Sequence, residues 1–279
     1  MPYSAEINRT NPTCFVFLVD QSSSMLEPFA GQADKQKSEG VADAINRLLQ
    51  NLILKCAKSD GIRDYFFVGV IGYGGRVASA LGGALAGQTL VPISAIANNP
   101  LRIEQRTRKV DDGAGGILEQ KFKFPVWFES KAAGRTPMCE ALKLAKQYLE
   151  VFLGRFAACY PPLVINITDG MSTDGDPLPI ARALQQLASK DGNVLLFNAH
   201  VSATQALAVE FPSADAHLPD NFAKLLYRMS SALPSRLFEA ARADKFPVSS
   251  GARGFVFNAD LVSVVRFLDI GTRVAQSVR

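Results

Sequence analysis

Only two histidines, His200 and His217, and four cysteines occur in the 279 residues, and no Cys-x-x-Cys pair is among them. Zinc held by nitrogen and sulfur ligands is therefore not expected. A GxSxG elbow is missing, which argues against a serine hydrolase. No GxGxxG follows the first apolar run, and Gly72-Tyr73-Gly74-Gly75 opens no helical pattern, so a hairpin turn is expected there in place of a dinucleotide loop. The charge excess is small, thirty basic against 26 acidic residues. That bias is too weak to suggest a nucleic-acid or anionic-membrane partner. No apolar run reaches the ~18 residues of a membrane span. The opening MPYSAEINRTNPT lacks a basic run followed by an apolar stretch, so no signal peptide is read. Cys14, Cys56, Cys139 and Cys159 sit in apolar or helical contexts, as buried free thiols do in a reducing compartment. A cytoplasmic chain is expected.

What is present is a regular alternation of apolar runs and helical patterns. Cys14–Val19 is continuously apolar, as a strand buried on both faces should be. Val41, Ile45, Leu48, Leu49, Leu52, Ile53 and Cys56 form one helical stripe. Tyr65–Ile71, Leu163–Thr168, Val194–Ala199 and Gly254–Asn258 read as further strands. Helices are expected from Pro137 to about Leu153, from Pro177, and after Asp260, with Leu261, Val264, Val265 and Leu268 on the last stripe. Lys121–Phe128 alternates charged and apolar residues and contains Pro125, which suits an edge strand.

This pattern predicts an α/β fold: a doubly wound, mostly parallel sheet with one antiparallel edge strand and helices on both faces. A single domain over residues 1–279 is expected, with two insertions. The first, at about 74–118, carries Arg102, Arg106, Arg108, Lys109 and the glycine-rich run Asp111–Gly116, with short β pieces expected at Gln88–Ile93 and Leu101–Arg106. The second, at about 211–250, reads as two short helices.

Three segments fall where chain reversals should follow buried strands or precede helices. They are Asp20-Gln21-Ser22-Ser23-Ser24-Met25, Gly134-Arg135-Thr136-Pro137 and Thr168-Asp169-Gly170. In an open parallel sheet, the carboxyl ends of the strands form the ligand edge where strand order reverses, and the first and fourth strands meet there. Two carboxylates and three hydroxyls make a hard oxygen site suited to Mg2+ or Mn2+. Alternate residues of Asp20-x-Ser22-x-Ser24 point the same way, whereas Gln21 and Ser23 face away. Asp176, directly before Pro177, is expected to cap a helix.

The three motifs, in this order and at these separations, resemble the metal-ion-dependent adhesion site of von Willebrand factor A domains. In that family the two serines and the threonine contact the metal, and the aspartates bind directly or through water. The resemblance implies Ser22, Ser24 and Thr136 as ligands, with Asp20 and Asp169 in direct or water-bridged roles. Ser23 stands where a glycine is more usual. The run ITDGMSTDGDP is similar to small bacterial cytoplasmic members, including those encoded beside tellurium-resistance proteins, so a stress-response or signalling assembly is implied.

The expected function is non-enzymatic: the metal binds an Asp or Glu carboxylate of a protein partner. Two alternatives stay open, a metal-dependent phosphoryl hydrolase and a scaffold that binds through the 74–118 insertion. Geometry links the insertion to the site. The second strand should climb to the edge bearing Asp20, the insertion should leave from its top, and Lys121–Phe128 should descend antiparallel along the sheet edge. That would place the base of the insertion on the metal rim, with Arg102, Arg106 and Arg108 favouring an acidic ligand.

Overall fold

A computed structural model describes residues 2–30, 32–111, 116–203 and 207–272. Thr13–Asp20 forms β1, buried along its whole length. Its alternate residues Phe15, Phe17 and Val19 enter one core, and Cys14, Val16 and Leu18 enter the other. That two-sided burial is why the run lacks polar alternation. Lys37–Cys56 is α1, and its predicted stripe faces the first core. Phe66–Tyr73 is β2, Val77–Ser79 β3, Val91–Pro92 β4 and Ile93–Asn98 α2. Arg102–Asp111 (β5) and Ile117–Val126 (β6) follow, then α3 at Met138–Arg155 and β7 at Leu163–Thr168. The remainder is α4 at Leu178–Gln185, β8 at Leu195–Val201, β9 at Val209–Glu210, α5 at Asn221–Met229 and α6 at Ser235–Ala243. The chain then enters β10 at Phe255–Ala259 and α7 at Leu261–Gly271.

The sheet runs β9-β10-β8-β7-β1-β2-β3, with β4 also on β2. The five strands from β10 to β2 are mutually parallel, and β3, β4 and β9 pair antiparallel at the edges. Helices α1 and α7 cover one face; α3, α4 and α5 cover the other. The α/β architecture with a mostly parallel sheet and antiparallel edge is thus as the pattern predicts. β1 pairs with β7, so the loops bearing Asp20 and Asp169 leave neighbouring strands at the strand-order reversal. Asp260 caps α7 by accepting the Ser263 amide at 2.8 Å, and α5 and α6 stand within the 211–250 segment. The side chain of Leu261 and most of the glycine-rich run, residues 112–115, lie outside the described residues.

The first insertion departs from expectation. Lys121–Phe128 does not join the sheet as its edge strand; that edge is taken by β3 and β4, on the upper and lower halves of β2. Instead β6 pairs with β5 over ten residues in a separate antiparallel hairpin. Its direction also differs. Leu81, just beyond the descending β3, forms an antiparallel bridge with Phe128, so the chain there climbs toward the rim. The alternation that suggested a half-solvated edge strand is real, but its polar side faces water in the hairpin, and burial begins only at its base, with Phe124, Val126, Trp127 and Phe128. Asn46 of α1 secures the return. It accepts the amides of Trp127 (2.9 Å) and Phe128 (3.1 Å) and donates to the Phe128 carbonyl at 2.8 Å.

Candidate metal centre

The Asp20 loop turns immediately after β1. Asp20 is fully buried; its Oδ1 accepts the Ser22 amide at 2.8 Å and its Oδ2 accepts the Thr168 hydroxyl at 2.7 Å. Burial pushes its carboxyl up to about 6, against the lowering effect of those hydrogen bonds, and nearby Asp169 adds to the rise. Ser22 Oγ and Ser24 Oγ stand 3.0 Å apart. Ser24 Oγ donates to Asp169 Oδ1 at 2.7 Å. The Asp20 and Asp169 loops therefore meet through their side chains. Thr136 is buried, and a Cβ placed on Gly170 would lie 3.7 Å from its Oγ1, so this hydroxyl faces the Asp169 loop.

Backbone contacts lock the three loops. Ser23 donates its amide to the Gly134 carbonyl at 3.1 Å, and its hydroxyl accepts the Gly134 amide at 3.0 Å. Ala133 donates to the Gln21 carbonyl at 2.7 Å. The alternation of the Asp20 loop predicts that the side chains of Gln21 and Ser23 face away from the donor set, and Ser23 turns to the Gly134 loop. Its hydroxyl is what a glycine there would lack. Gly134 adopts φ +83°, and a Cβ on it would fall 2.8 Å from Gly75, so both conformation and space demand glycine. On the other side, Thr173 donates its amide to the Thr136 carbonyl at 2.9 Å and accepts the Thr136 amide on Oγ1 at 3.0 Å. Asp174 accepts the amides of Cys139 (3.0 Å) and Glu140 (2.9 Å), satisfying the open start of α3 from the Asp169 loop. Burial raises its carboxyl, but those amides and the Ser172 hydroxyl prevail and hold it below its usual value. Asp176 takes the Leu178 amide at the head of α4, the capping role expected of it.

Ser22, Ser24 and Asp169 are thus joined through their side chains on the rim beside the buried Asp20, and the Thr136 hydroxyl faces the same Asp169 loop. Among the described residues no group of three or more His, Cys, Asp or Glu side chains is placed to hold a metal ion. The donor set is hydroxyl-rich, with only two carboxylates, and this chemistry suits a hard divalent cation. The residues present fit the ion that the motifs imply.

Lys37 was not anticipated. It opens α1, its side chain is 4% exposed, and its Nζ lies 2.5 Å from Asp169 Oδ2 and 2.8 Å from Glu27 Oε2. Nothing in the sequence marks it, because it lies in neither a motif nor an apolar stripe. His200, at the end of β8, is pulled down to about 4, first by burial and further by Lys37, against the opposing charges of Asp169 and Asp220. Its Nδ1 accepts the Asn258 amide at 3.1 Å and its ring stacks on Phe257.

The expected steering cations are differently employed. Arg102 pairs with Glu104 and Glu129, Arg106 with Glu104 and Asp43, and Arg108 donates to Gln120. The Gly74 end of the insertion does reach the rim, since Tyr73 is in register with Asp20, whereas Leu118 pairs with Val110 out in the hairpin. Exposed cations nearer the site are Arg76, Lys131 and Arg135. Arg76 and Lys131 line a cavity of about 270 Å³ with Gln21, Gly72, Gly75 and Ala133. The four cysteines are buried and unpaired, and no described helix is long and apolar enough to cross a membrane.

No protein-family model matches the chain. No curated protein matches it in sequence. Solved structures to which it is similar include proximal thread matrix protein 1 from the mussel byssus, at 14% identity and a TM-score of 0.48, covering 97% of this chain and 49% of that one. A second form of that protein, described as having a zinc-occupied MIDAS motif, matches at 13% identity and a TM-score of 0.48, over 96% of this chain and 47% of that one. The von Willebrand factor domain of the pilus tip protein Mfa5 from Porphyromonas gingivalis matches at 13% identity and a TM-score of 0.33, over 58% of this chain and 39% of that one. The chain spans about half the length of the byssus protein.

Proposed function

We propose that this chain is a von Willebrand factor A-type module that binds a protein partner through a divalent cation, Mg2+ or Mn2+, held by Asp20, Ser22, Ser24, Thr136 and Asp169. The observation that carries the reading is the linkage Ser22–Ser24–Asp169, which joins the loops of β1 and β7 through donor atoms 3.0 and 2.7 Å apart. When bound, the ion supplies a positive charge able to accept an outside carboxylate. The chain's own residues set that up. Asp20 is fixed by the Ser22 amide and the Thr168 hydroxyl, and Ser23 and Thr173 hold the Thr136 loop on either side. Arg76, Lys131 and Arg135 around the rim favour an acidic Asp or Glu side chain on the partner.

A binding role suits the neighbouring titratable groups better than phosphoryl hydrolysis. Lys37 is engaged by two carboxylates, Asp174 by two helix amides, and His200 Nδ1 by the Asn258 amide. A hydrolase needs a general base directed at the metal, whereas these three groups are tied to structural partners. The cytoplasmic setting and the stress-response assembly implied by the ITDGMSTDGDP resemblance belong to the same proposal.

The test is thermal. Mg2+ or Mn2+ should raise the melting temperature of the wild type, because an ion bound only by the folded chain stabilises it by mass action. Asp20→Ala and Asp169→Ala should each remain folded and lose the shift. A metal-dependent shift that survives in both variants would remove these residues from the site.

A further inference from the structure

Lys37 brings a cation of the chain's own to the metal centre. Its backbone amide donates to the Glu27 carbonyl at 2.9 Å, so the residue is tied to the segment that leaves the Asp20 loop. Its ammonium is almost wholly buried, 2.5 Å from Asp169 Oδ2, while the other Asp169 oxygen receives the Ser24 hydroxyl. A buried ammonium is costly unless well paired, and here two carboxylates pair it. Asp20 and Asp169 together supply two negative charges, and Lys37 returns one positive charge. A divalent ion would therefore meet a donor set of net charge −1. The two ion-pair partners also differ: the Asp169 side chain is 1% exposed and that of Glu27 59%. Glu27 offers the ammonium a second, more solvated anchor.

From this we infer that Lys37 sets the affinity of the metal site: it weakens binding of the divalent ion and makes that binding depend on the carboxylate a partner brings. The inference rests on the metal-binding reading above. Its logic is charge balance. With Asp169 shared between Lys37 and the ion, the bound metal carries an excess positive charge that an outside carboxylate neutralises. By linkage, the carboxylate must strengthen metal binding as much as the metal strengthens carboxylate binding. Glu27 acts in the opposite sense to Lys37, because it draws the ammonium away from Asp169. Both are positioning residues, and neither contacts the partner in this scheme.

The experiment titrates Mn2+ into the full chain and follows the free ion by electron paramagnetic resonance, with and without acetate as the carboxylate probe. The chains compared are wild type, Lys37→Met, Glu27→Gln and Asp20→Ala. Lys37→Met should bind Mn2+ more tightly by roughly fivefold or more, the lower end of ordinary coupling between sites. Glu27→Gln should bind it more weakly than wild type. Acetate should strengthen Mn2+ binding by a larger factor in wild type than in Lys37→Met. A folded Lys37→Met with unchanged or weaker Mn2+ affinity overturns the inference, and an equal acetate effect in both chains overturns its coupling to the partner. If Lys37→Met does not fold, Glu27→Gln decides: weaker binding supports the inference and unchanged or tighter binding overturns it. If wild type and Lys37→Met both bind no more Mn2+ than Asp20→Ala, the metal reading itself fails and this inference falls with it.

Discussion

The sheet rim that bears Asp20 and Asp169 and the β5–β6 hairpin are both rich in charged and polar side chains, yet they use them in opposite ways. On the rim, Asp20, Ser22, Thr136 and Lys37 are buried, and hydrogen bonds between three loops fix the donor atoms. On the hairpin, cations and carboxylates satisfy one another at the surface: Arg102 with Glu104 and Glu129, Arg106 with Glu104 and Asp43. Burial makes each rim contact specific, since an unmatched polar group there has no water to turn to. Exposure makes each hairpin pair interchangeable and weak. Function is expected where polar groups are buried and organised, which is why the arginines of the insertion are poor candidates for steering and the rim is the better one.

The sharpest way to break this comparison lies at the base of the hairpin. Asn46 joins it to α1 through three hydrogen bonds with the buried Trp127 and Phe128 backbone. Asn46→Ala leaves two amides and a carbonyl unpaired and should cost about 4 kcal/mol in chemical denaturation. If rim and hairpin are independent, the surviving folded fraction keeps its Mn2+ response. Loss of that response in a folded Asn46→Ala would join two regions that the geometry separates.

His200 gives the next effect, on the rim side. Its folded value of about 4 lies below the ordinary 6.5, because the largely buried ring is held neutral with Nδ1 accepting the Asn258 amide. Above pH 6.5 the ring is neutral in both states and nothing is lost. As the pH falls from 6.5 towards 4 the unfolded chain takes a proton that the folded chain refuses, so stability declines by up to about 3 kcal/mol. Asp169 and Asp220 oppose the shift and Lys37 reinforces it. The decline should be shallower in His200→Gln over the same window; equal slopes in the two proteins would exclude His200 as its source.

Asp174 measures how firmly the Asp169 loop is tied to α3. Removing its carboxylate frees the amides of Cys139 and Glu140 and should cost about 1–2 kcal/mol, as the loss of a helix cap does. Asp174→Asn should recover part of that, because its amide oxygen still accepts. An Asp174→Ala chain as stable as wild type would show that the loop is held by Thr173 and Thr136 alone.

Much of this was legible in the sequence, for identifiable reasons. β1 announced itself because both of its faces are buried, and the three loops announced themselves through residue types that a hard cation requires. The hairpin misled because alternation in Lys121–Phe128 specifies one wet and one dry side but not the partner strand, and β5 supplied the pairing from within the insertion. Buried polar residues inside apolar runs were the least visible. Asn166 accepts the Tyr73 hydroxyl at 2.7 Å and donates to Asn198 at 3.0 Å, a polar chain whose pairing across neighbouring strands no single run displays. Lys37 escaped for a similar reason, since its meaning comes from Asp169, 132 residues away.

The smallest expected effect tests the hairpin's side of the comparison directly. Arg106 donates to Asp43 at 2.8 Å and to Glu104 at 2.7 Å, and its guanidinium lies 3.8 Å above the centre of the Phe124 ring. These contacts look substantial, but the side chain is 31% exposed and its anionic partners 23% and 29%. Water and salt screen such pairs, and holding a long side chain in place offsets part of the attraction. Stacking on Phe124 adds about 0.5–1 kcal/mol at a site this exposed. Arg106→Ala should therefore destabilise by about 1 kcal/mol, with the ion-pair share of the difference shrinking as salt is raised and the stacking share persisting. Mn2+ affinity and partner capture should not change. A fall in capture of an acidic partner by Arg106→Ala, with Mn2+ binding intact, would return the insertion to the binding surface and make the hairpin more than a solvated projection.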